Sequence, residues 1–167
     1  MKKIFTIVLL LATVFSVNAQ ITTDIWGLTV GHSTKQDVRK VFKKNNYYYI
    51  ENKEFNAFLL VSESGFRFGS IYWQQAIFEF YNDILMSVNF VLKPRSLNSS
   101  ENDYSYLKEK LDKKYKSYCI FEDDRTTTYE DGKTRIYIGI RDDDVVQLGY
   151  ENIRLANFQE NEQDNDF

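Results

Sequence analysis

The segment Ile71–Leu92 has the sequence IYWQQAIFEFYNDILMSVNFVL, and it decides the fold. Two long runs rich in β-branched and aromatic residues, Ile71–Tyr81 and Ile84–Leu92, are separated only by Asn82-Asp83. Such residues favour strands, and a short polar pair between two of these runs is typical of a tight turn. The segment therefore predicts a long antiparallel hairpin. Pro94 ends its second strand, because proline cannot donate to a sheet ladder.

The register of this hairpin depends on which side chains share a face. A two-residue loop places Phe78 and Phe80 beside polar side chains of the second strand. A three-residue loop that includes Ile84 instead pairs Phe80 with Met86 and Phe78 with Val88. A slip of one residue turns every side chain of a strand to the other face of the sheet. Because the longer loop joins the large apolar groups on one face, we predict the three-residue loop.

Two helices are indicated by start signals followed by apolar stripes. Ser33 and Gln36 have the spacing of a capping box, in which each residue satisfies a free amide at the start of a helix. The stripe behind this box consists of Val38, Val41 and Phe42. A second helix is predicted to begin near Ser100 and Asp103, with a stripe of Tyr104, Leu107, Leu111 and Tyr115.

Strand signals occupy most of the remaining sequence between residues 47 and 150. Asp131-Gly132 is the strongest hairpin turn in the chain. The further predicted strands are Tyr47–Ile50, Phe58–Val61, Phe66–Phe68, Tyr118–Phe121, Thr126–Glu130, Ile136–Ile140 and Val146–Tyr150. We therefore predict an α+β fold, with two helices packed on antiparallel β-meander sheets in the order helix-strands-helix-strands. The repeated order leaves an internal duplication open.

The N-terminus has the three parts of a secretory signal peptide. Lys2 and Lys3 precede an apolar run, and the small residue Ala19 precedes Gln20. The run is shorter than the roughly 20 residues that a membrane-spanning helix needs. We predict a signal peptide at residues 1–19, cleavage at Ala19-Gln20, and a secreted or periplasmic protein with no stable membrane anchor after cleavage. An uncleaved anchor is the alternative.

The chain after the signal peptide is predicted to be one domain followed by a tail. Residues 20–156 carry all the helix and strand signals and form a single α+β domain. Residues 157–167 are rich in Asn, Gln, Asp and Glu and show no apolar period. Segments of that composition bury too little apolar surface to fold, so we predict a disordered acidic tail.

Composition excludes several classes of function. The 167 residues include one Cys and one His, so neither a disulfide framework nor a cluster of cysteine or histidine metal ligands can form. With 21 basic and 24 acidic residues, the chain lacks the positive charge that binding of nucleic acid requires. We expect Cys119 to be a buried strand thiol and His32 to be an exposed residue at a helix start. We predict no catalytic residue, no metal site and no cofactor.

Two acidic clusters, Glu122–Asp124 and Asp142–Asp144, follow predicted strands. Carboxylate oxygens are ligands for hard cations, but neither cluster has the spacing of an EF-hand loop. Paired carboxyl groups also serve glycosidases, in which their separation decides the chemistry. A small carboxylate-based hydrolase therefore stays open as an alternative function, although acidic turns are normally solvated.

The segment Gly27-Leu-Thr-Val-Gly-His-Ser-Thr-Lys-Gln-Asp-Val38 resembles the helix start of the BLIP/BamE-like group of small secreted or envelope domains. Further segments, Phe68–Trp73, Phe78–Phe80, Leu85–Phe90 and Val146–Tyr150, resemble a recurrent pattern of small secreted bacterial proteins of unknown function. The chain lacks the lipid-attachment cysteine of the lipoprotein members. The resemblance implies a non-enzymatic binding fold and transfers no site residue.

The aromatic residues are the remaining functional signal. Tyr47, Tyr48 and Tyr49 cannot all point inward, because successive strand residues alternate between faces, and Tyr72 and Trp73 must likewise point to opposite sides. Exposed Tyr and Trp are typical of protein-binding hot spots and of stacking against sugars. We therefore predict a non-catalytic domain that binds a protein partner through an exposed aromatic sheet face. A carbohydrate-binding module with a Trp/Tyr platform, whose partner is a glycan, is the alternative.

Overall fold

Residues 20–96 and 98–164 are described by the computed structural model, and the signal peptide predicted at residues 1–19 lies outside them. The helices are α1 (Lys35–Lys44), α2 (Ser99–Tyr115) and α3 (Ile153–Asp164), with a 3-10 turn at Lys116–Tyr118. The strands are β1 (Tyr49–Asn52), β2 (Ala57–Phe68), β3 (Ile71–Tyr81), β4 (Ile84–Leu92), β5 (Cys119–Glu122), β6 (Thr126–Glu130), β7 (Thr134–Ile140) and β8 (Val146–Asn152).

One antiparallel sheet contains all eight of these strands, in the order β1-β2-β3-β4-β8-β7-β6-β5. Two four-stranded meanders, one after α1 and one after α2, are joined by the pairing of β4 with β8, the last strand of each. The predicted fold of two helices in the order helix-strands-helix-strands is wrong, because the described chain has a third helix after the last strand. The internal duplication stays a prediction.

Helix α3 includes residues 157–164, which the composition predicted to be disordered. Although its sequence is mostly polar, this helix has a small surface that packs against the sheet. The Phe158 ring stacks on Tyr81 with 6.2 Å between ring centroids, and Ala156 is buried. The Tyr81 hydroxyl donates to Glu162 at 2.7 Å. These contacts with β3 supply the tertiary stabilisation that a single short polar helix lacks, so the prediction of a disordered tail from residue 157 is wrong for the described part.

The β3–β4 hairpin has the predicted strand bounds but a different turn. Tyr81 pairs with Ile84, which leaves a two-residue loop rather than the predicted three-residue loop. Both loop residues, Asn82 and Asp83, have positive φ angles of 46° and 69°. This is the conformation of a type I′ turn, which matches the twist of the strands and suits Asn and Asp.

A β-bulge next to this turn brings the large apolar side chains of the two strands to the same face of the sheet. Phe80 pairs with Leu85, and Met86 is the extra residue before the regular ladder resumes. Phe78 therefore pairs with Val88, as predicted, whereas the predicted pairing of Phe80 with Met86 is wrong. The bulge allows a two-residue turn and a common apolar face to occur together, so the longer predicted loop is not needed.

Helix α1 begins one residue later than predicted. Thr34 is its N-cap and forms the capping box with Asp37, whose N–H donates to Thr34 Oγ1 at 3.3 Å and whose carboxylate accepts from the Thr34 N–H at 3.1 Å. The predicted box of Ser33 and Gln36 is wrong, because the Ser33 hydroxyl instead accepts from the Thr29 N–H.

The apolar stripes of the first two helices are confirmed. Val38 and Phe42 of α1 have no exposed surface, and Tyr104, Leu107 and Leu111 of α2 are buried. These stripes pack on one face of the sheet, and the core lies between that face and the two helices. The core under α1 is dominated by phenylalanine rings contributed by β2, β3 and β4.

A single carboxylate ties the start of the described chain to the turn after β6. Asp131 accepts hydrogen bonds from the N–H groups of Ile21 (2.7 Å), Lys133 (2.9 Å) and Thr134 (2.8 Å). Partial burial acts to raise the pKa of Asp131, but the three N–H donors outweigh it and hold the pKa below its ordinary value. The ionised form therefore stabilises the fold.

We expect Asp131→Asn to lower the free energy of unfolding by about 1–2 kcal/mol near neutral pH. Because the folded-state pKa is depressed, this stabilisation is complete above the unfolded-state pKa of about 3.9 and is lost as the pH falls through the folded-state pKa. Urea unfolding of both proteins over an acidic pH series checks this. The two stabilities should converge at low pH, and a gap that is independent of pH would contradict the assignment.

Candidate functional site

The two faces of the sheet have different surroundings. On one face, Phe42 of α1 lies 5.0 Å from the Phe78 ring, and Tyr104 of α2 shares a hydrogen bond of 2.8 Å with Thr127. The opposite face, which we call the open face, contacts α3 at one end, where Phe158 meets Tyr81. The open face is therefore the sheet surface available for binding.

Ladder pairs place one residue from each strand on a single line across the open face. This central row consists of Ile50, Leu59, Ile77, Asn89, Gly149, Tyr137, Thr128 and Phe121. Within the row only Gly149 is buried, and the residues on the outer strands, Ile50 and Phe121, are 48% and 51% exposed. The central row thus presents a mixed apolar and polar surface.

The middle of the central row is organised around Tyr137. Its ring occupies the space above Gly149, where a Cβ atom would overlap the ring. Its hydroxyl donates to the Asn89 side chain, whose amide donates to Glu79 at 3.3 Å, and the Ser87 hydroxyl donates to the same carboxylate. This hydrogen-bonded chain fixes Tyr137 on the open face instead of leaving it free to rotate.

A charged row adjoins the central row on the side of α3. Arg135 donates to Glu130 at 3.1 Å and to Glu151 at 2.8 Å. Burial raises the pKa of Glu151, the nearby carboxylates Glu160 and Glu79 add to the effect, and the guanidinium of Arg135 opposes it. This row gives the open face an acidic border.

The five aromatic residues predicted as a binding face do not form one surface. Tyr48 and Tyr72 are 72% and 60% exposed, whereas Trp73 has no exposed surface, so its predicted role as an exposed anchor is wrong. Tyr47 and Tyr49 are partly buried against the core. The predicted opposition of Tyr72 and Trp73 is confirmed, and the tryptophan is the inward member because β3 turns its large apolar residues to the core.

Sequence reasoning missed the residues that make up the open face. Ile77 lies between the inward residues Ala76 and Phe78, and its apolar side chain gives no sign in the sequence that it belongs to the outer face. Tyr137 could have been found, because the alternation of Ile136 and Ile138 already points it outward.

A second concave surface lies on the core side of the sheet, between α2 and the turn at Trp26. This groove has a volume of about 860 Å³. Its apolar lining includes Trp26, Phe68, Trp73, Tyr106, Leu107, Leu111, Tyr115, Leu148 and Tyr150, and its charged lining consists of Asp24, Arg67, Lys110, Lys113 and Lys114.

Trp26 is held at the groove by a strained turn. Ile25 and Leu28 exchange two backbone hydrogen bonds of 2.9 Å, and the two residues between them, Trp26 and Gly27, have φ angles of 56° and 83°. A positive φ is uncommon for a bulky residue, and surrounding structure must compensate its cost. The Trp26 indole does so by packing among five aromatic rings, of which Tyr47 is nearest at 5.2 Å.

No protein-family model, curated protein or solved structure matches this chain. Of the helices within residues 20–96 and 98–164, none combines the length and the apolar composition that are needed to cross a membrane.

The acidic clusters are used within loops and ion pairs. Asp123 accepts from the N–H groups of Arg125 and Thr126, and Asp144 pairs with the Arg125 guanidinium at 3.4 Å. Within the described part of the chain, no group of three or more His, Cys, Asp and Glu side chains has the geometry to hold a metal ion. His32 is exposed as predicted, and Cys119 is half-buried at the start of β5 rather than fully buried.

Proposed function

We propose that this protein is a non-catalytic binding domain that holds a protein partner on the open face of its sheet. The observation that carries the proposal is the central row, a line of eight ladder-paired positions, five of which have aliphatic or aromatic side chains that are at least partly exposed. Protein interfaces combine an apolar centre and fixed aromatic anchors with a polar rim. The charged row of Arg135, Glu130 and Glu151 supplies such a rim.

Two features favour a protein over a glycan as the partner. Sugar stacking needs a flat row of exposed rings, and the burial of Trp73 removes the tryptophan from the predicted Trp/Tyr platform. The central row instead combines adjacent aliphatic side chains on β1, β2 and β3 with the hydrogen-bonded Tyr137 on β7, which suits a protein surface. The resemblance of residues 27–38 to the BLIP/BamE-like group, which implies a binding fold, supports the same class of function.

We further propose that binding takes place outside the cytoplasm. Residues 1–19 have the charge and apolar pattern of a cleaved signal peptide, which supports a periplasmic or extracellular site of action. The partner is then an envelope protein or a secreted protein. Mass spectrometry of the exported protein tests this, since its N-terminal peptide should begin at Gln20, and a mature chain that keeps residues 1–19 would contradict it.

We expect Leu59→Lys and Ile77→Lys, made together, to weaken partner binding at least tenfold, because interface anchors contribute about 2 kcal/mol or more each. Both side chains are partly exposed neighbours in the central row, so a lysine can reach solvent without unfolding the sheet. Affinity capture from a cell-envelope extract identifies the partner, and surface plasmon resonance with the purified partner measures the loss.

The control for this experiment is Phe55→Lys. Phe55 lies in the loop between β1 and β2, is not a member of the central row, and is 66% exposed. It should bind the partner like the wild-type protein. Equal binding by all variants, or a strong signal on a glycan array without any captured protein, would refute the proposed function.

A further inference from the structure

We propose that the groove between α2 and the Trp26 turn is a second binding site, separate from the open face, and that its ligand is a small organic anion with a flat apolar body. The groove lies on the core side of the sheet, so the site does not depend on the proposed protein-binding function. Its volume of about 860 Å³ lies within the range of roughly 300–1,000 Å³ that is typical of small-molecule sites.

Three of the aromatic side chains that line the groove have their polar atoms already bonded within the protein. The Trp26 indole N–H donates to the Arg67 carbonyl at 3.1 Å, and the Trp73 indole N–H donates to the Phe68 carbonyl at 3.2 Å. The Tyr115 hydroxyl donates to the carbonyl of Thr22 at 3.2 Å. A ligand therefore meets apolar ring surfaces, which favour a flat apolar body.

The rim of the groove carries positive charge in a protein that is acidic as a whole. The chain has a formal net charge of −3, yet the groove lining contains four basic residues and one acidic residue. That acidic residue, Asp24, already accepts from the Gly27 N–H at 2.7 Å. The local charge is therefore opposite in sign to that of the whole chain and complements an anion.

Two of the lysines are available to a ligand. Tyr106, Lys110 and Lys114 are four residues apart on α2 and share one side of the helix. Lys113 is paired with Glu109, whereas within the described chain neither Lys110 nor Lys114 has a carboxylate within salt-bridge distance. The Lys110 ammonium lies 5.2 Å from the centroid of the Tyr106 ring, so charge and ring surface are already side by side.

The probe for this site is naphthalene-2-carboxylate, and 2-naphthamide is the uncharged probe of the same shape. The chain contains two tryptophans, Trp26, which is partly exposed at the groove, and Trp73, which is buried beneath it, so their indole N–H signals in a proton–nitrogen NMR titration report on the groove. We expect the carboxylate to shift both signals in a saturable way. The amide should bind about tenfold more weakly, because it lacks the attraction of two lysines.

Matched charge variants test the role of the rim. Lys110→Gln with Lys114→Gln should weaken binding of the carboxylate about tenfold. Lys43→Gln with Lys44→Gln, at the end of α1, changes the net charge equally and should bind like the wild-type protein. Circular dichroism confirms that both variants are folded. Equal affinities for carboxylate and amide, equal losses in both double variants, or unshifted indole signals would each overturn the proposal.

Discussion

Phe90→Ala should lower the free energy of unfolding by roughly 3–5 kcal/mol, the loss that follows removal of a buried phenylalanine ring. Phe90 has no exposed surface. Its ring is stacked on Phe68 with 4.3 Å between centroids and an angle of 4°, and it lies 5.3 Å from Trp73. Further ring contacts join it to Trp26 and to Tyr150.

The size of this effect follows from the position of Phe90 in the sheet. It lies on β4 and pairs with Ala76 of β3 and Leu148 of β8, so its ring bridges the seam at which the two meanders join. Removing the ring leaves a cavity between the two halves of the core, and the rigid ladders on both sides prevent its collapse. Both meanders should lose stability together in one transition.

Urea unfolding followed by tryptophan fluorescence and by circular dichroism measures the loss. Phe55→Ala is the matched control, because the Phe55 ring is 66% exposed and its removal should change stability by less than about 0.5 kcal/mol. A small effect of Phe90→Ala, or an equal effect of Phe55→Ala, would show that the aromatic cluster is not the main stabilising contact between the meanders.

The long hairpin shows which parts of the fold follow from sequence. Its strand bounds follow from composition, and the pairing of Phe78 with Val88 follows from the need to bury both side chains. The bulge at Met86 does not follow from the sequence. A two-residue turn with a bulge and a longer loop without one both pair Phe78 with Val88. Local patterns indicate which residues share a face of the sheet, whereas the backbone path between two such residues depends on tertiary packing.

Helix α3 is a segment for which composition gives the wrong structure, since it predicts disorder where a helix is present. Residues 157–164 contain one aromatic side chain among polar residues, and an isolated segment of this kind is not a stable helix. Both Phe158 and Glu162 contact Tyr81, which lies more than 70 positions earlier in the chain. A prediction made from one segment at a time cannot include a contact between residues so far apart in the chain.

The candidate site was only partly predictable for a similar reason. Alternation correctly separates Tyr72 from Trp73, but it does not say which of them is inward. The same pattern predicted an exposed sheet face without identifying Ile77 and Tyr137 as its centre. The groove was missed because it is formed by Trp26 and Tyr106, which lie 80 positions apart and meet only through the packing of α2 against the sheet.

Gly149→Ala should lower the free energy of unfolding by roughly 1–3 kcal/mol, although it adds a single methyl group. Gly149 and Tyr137 are directly opposite each other on β8 and β7, and the Tyr137 ring fills the space that a Cβ would occupy. The added atom must displace the ring, which breaks the hydrogen bond from its hydroxyl to Asn89. A glycine is therefore required here by close approach, not by its backbone angles.

A double-mutant cycle separates this effect from the general cost of changing a glycine. In a Tyr137→Ala background the obstacle is gone, and Gly149→Ala should then change stability by less than about 0.5 kcal/mol. Gly139→Ala on β7 is a milder control, since its Cβ would approach Thr126 Oγ1 at 3.3 Å. Equal losses with and without the Tyr137 ring would contradict the assigned contact.

The same variant connects the packing of the sheet to its proposed function. Displacing the Tyr137 ring changes the middle of the central row while the core side of the sheet stays intact, because the two residues lie on the open face. If a protein partner binds there, Gly149→Ala should weaken its binding at temperatures well below unfolding, while naphthalene-2-carboxylate should still bind the groove as tightly as it binds the wild-type protein. Retained partner binding together with the expected loss of stability would place the partner elsewhere on the molecule.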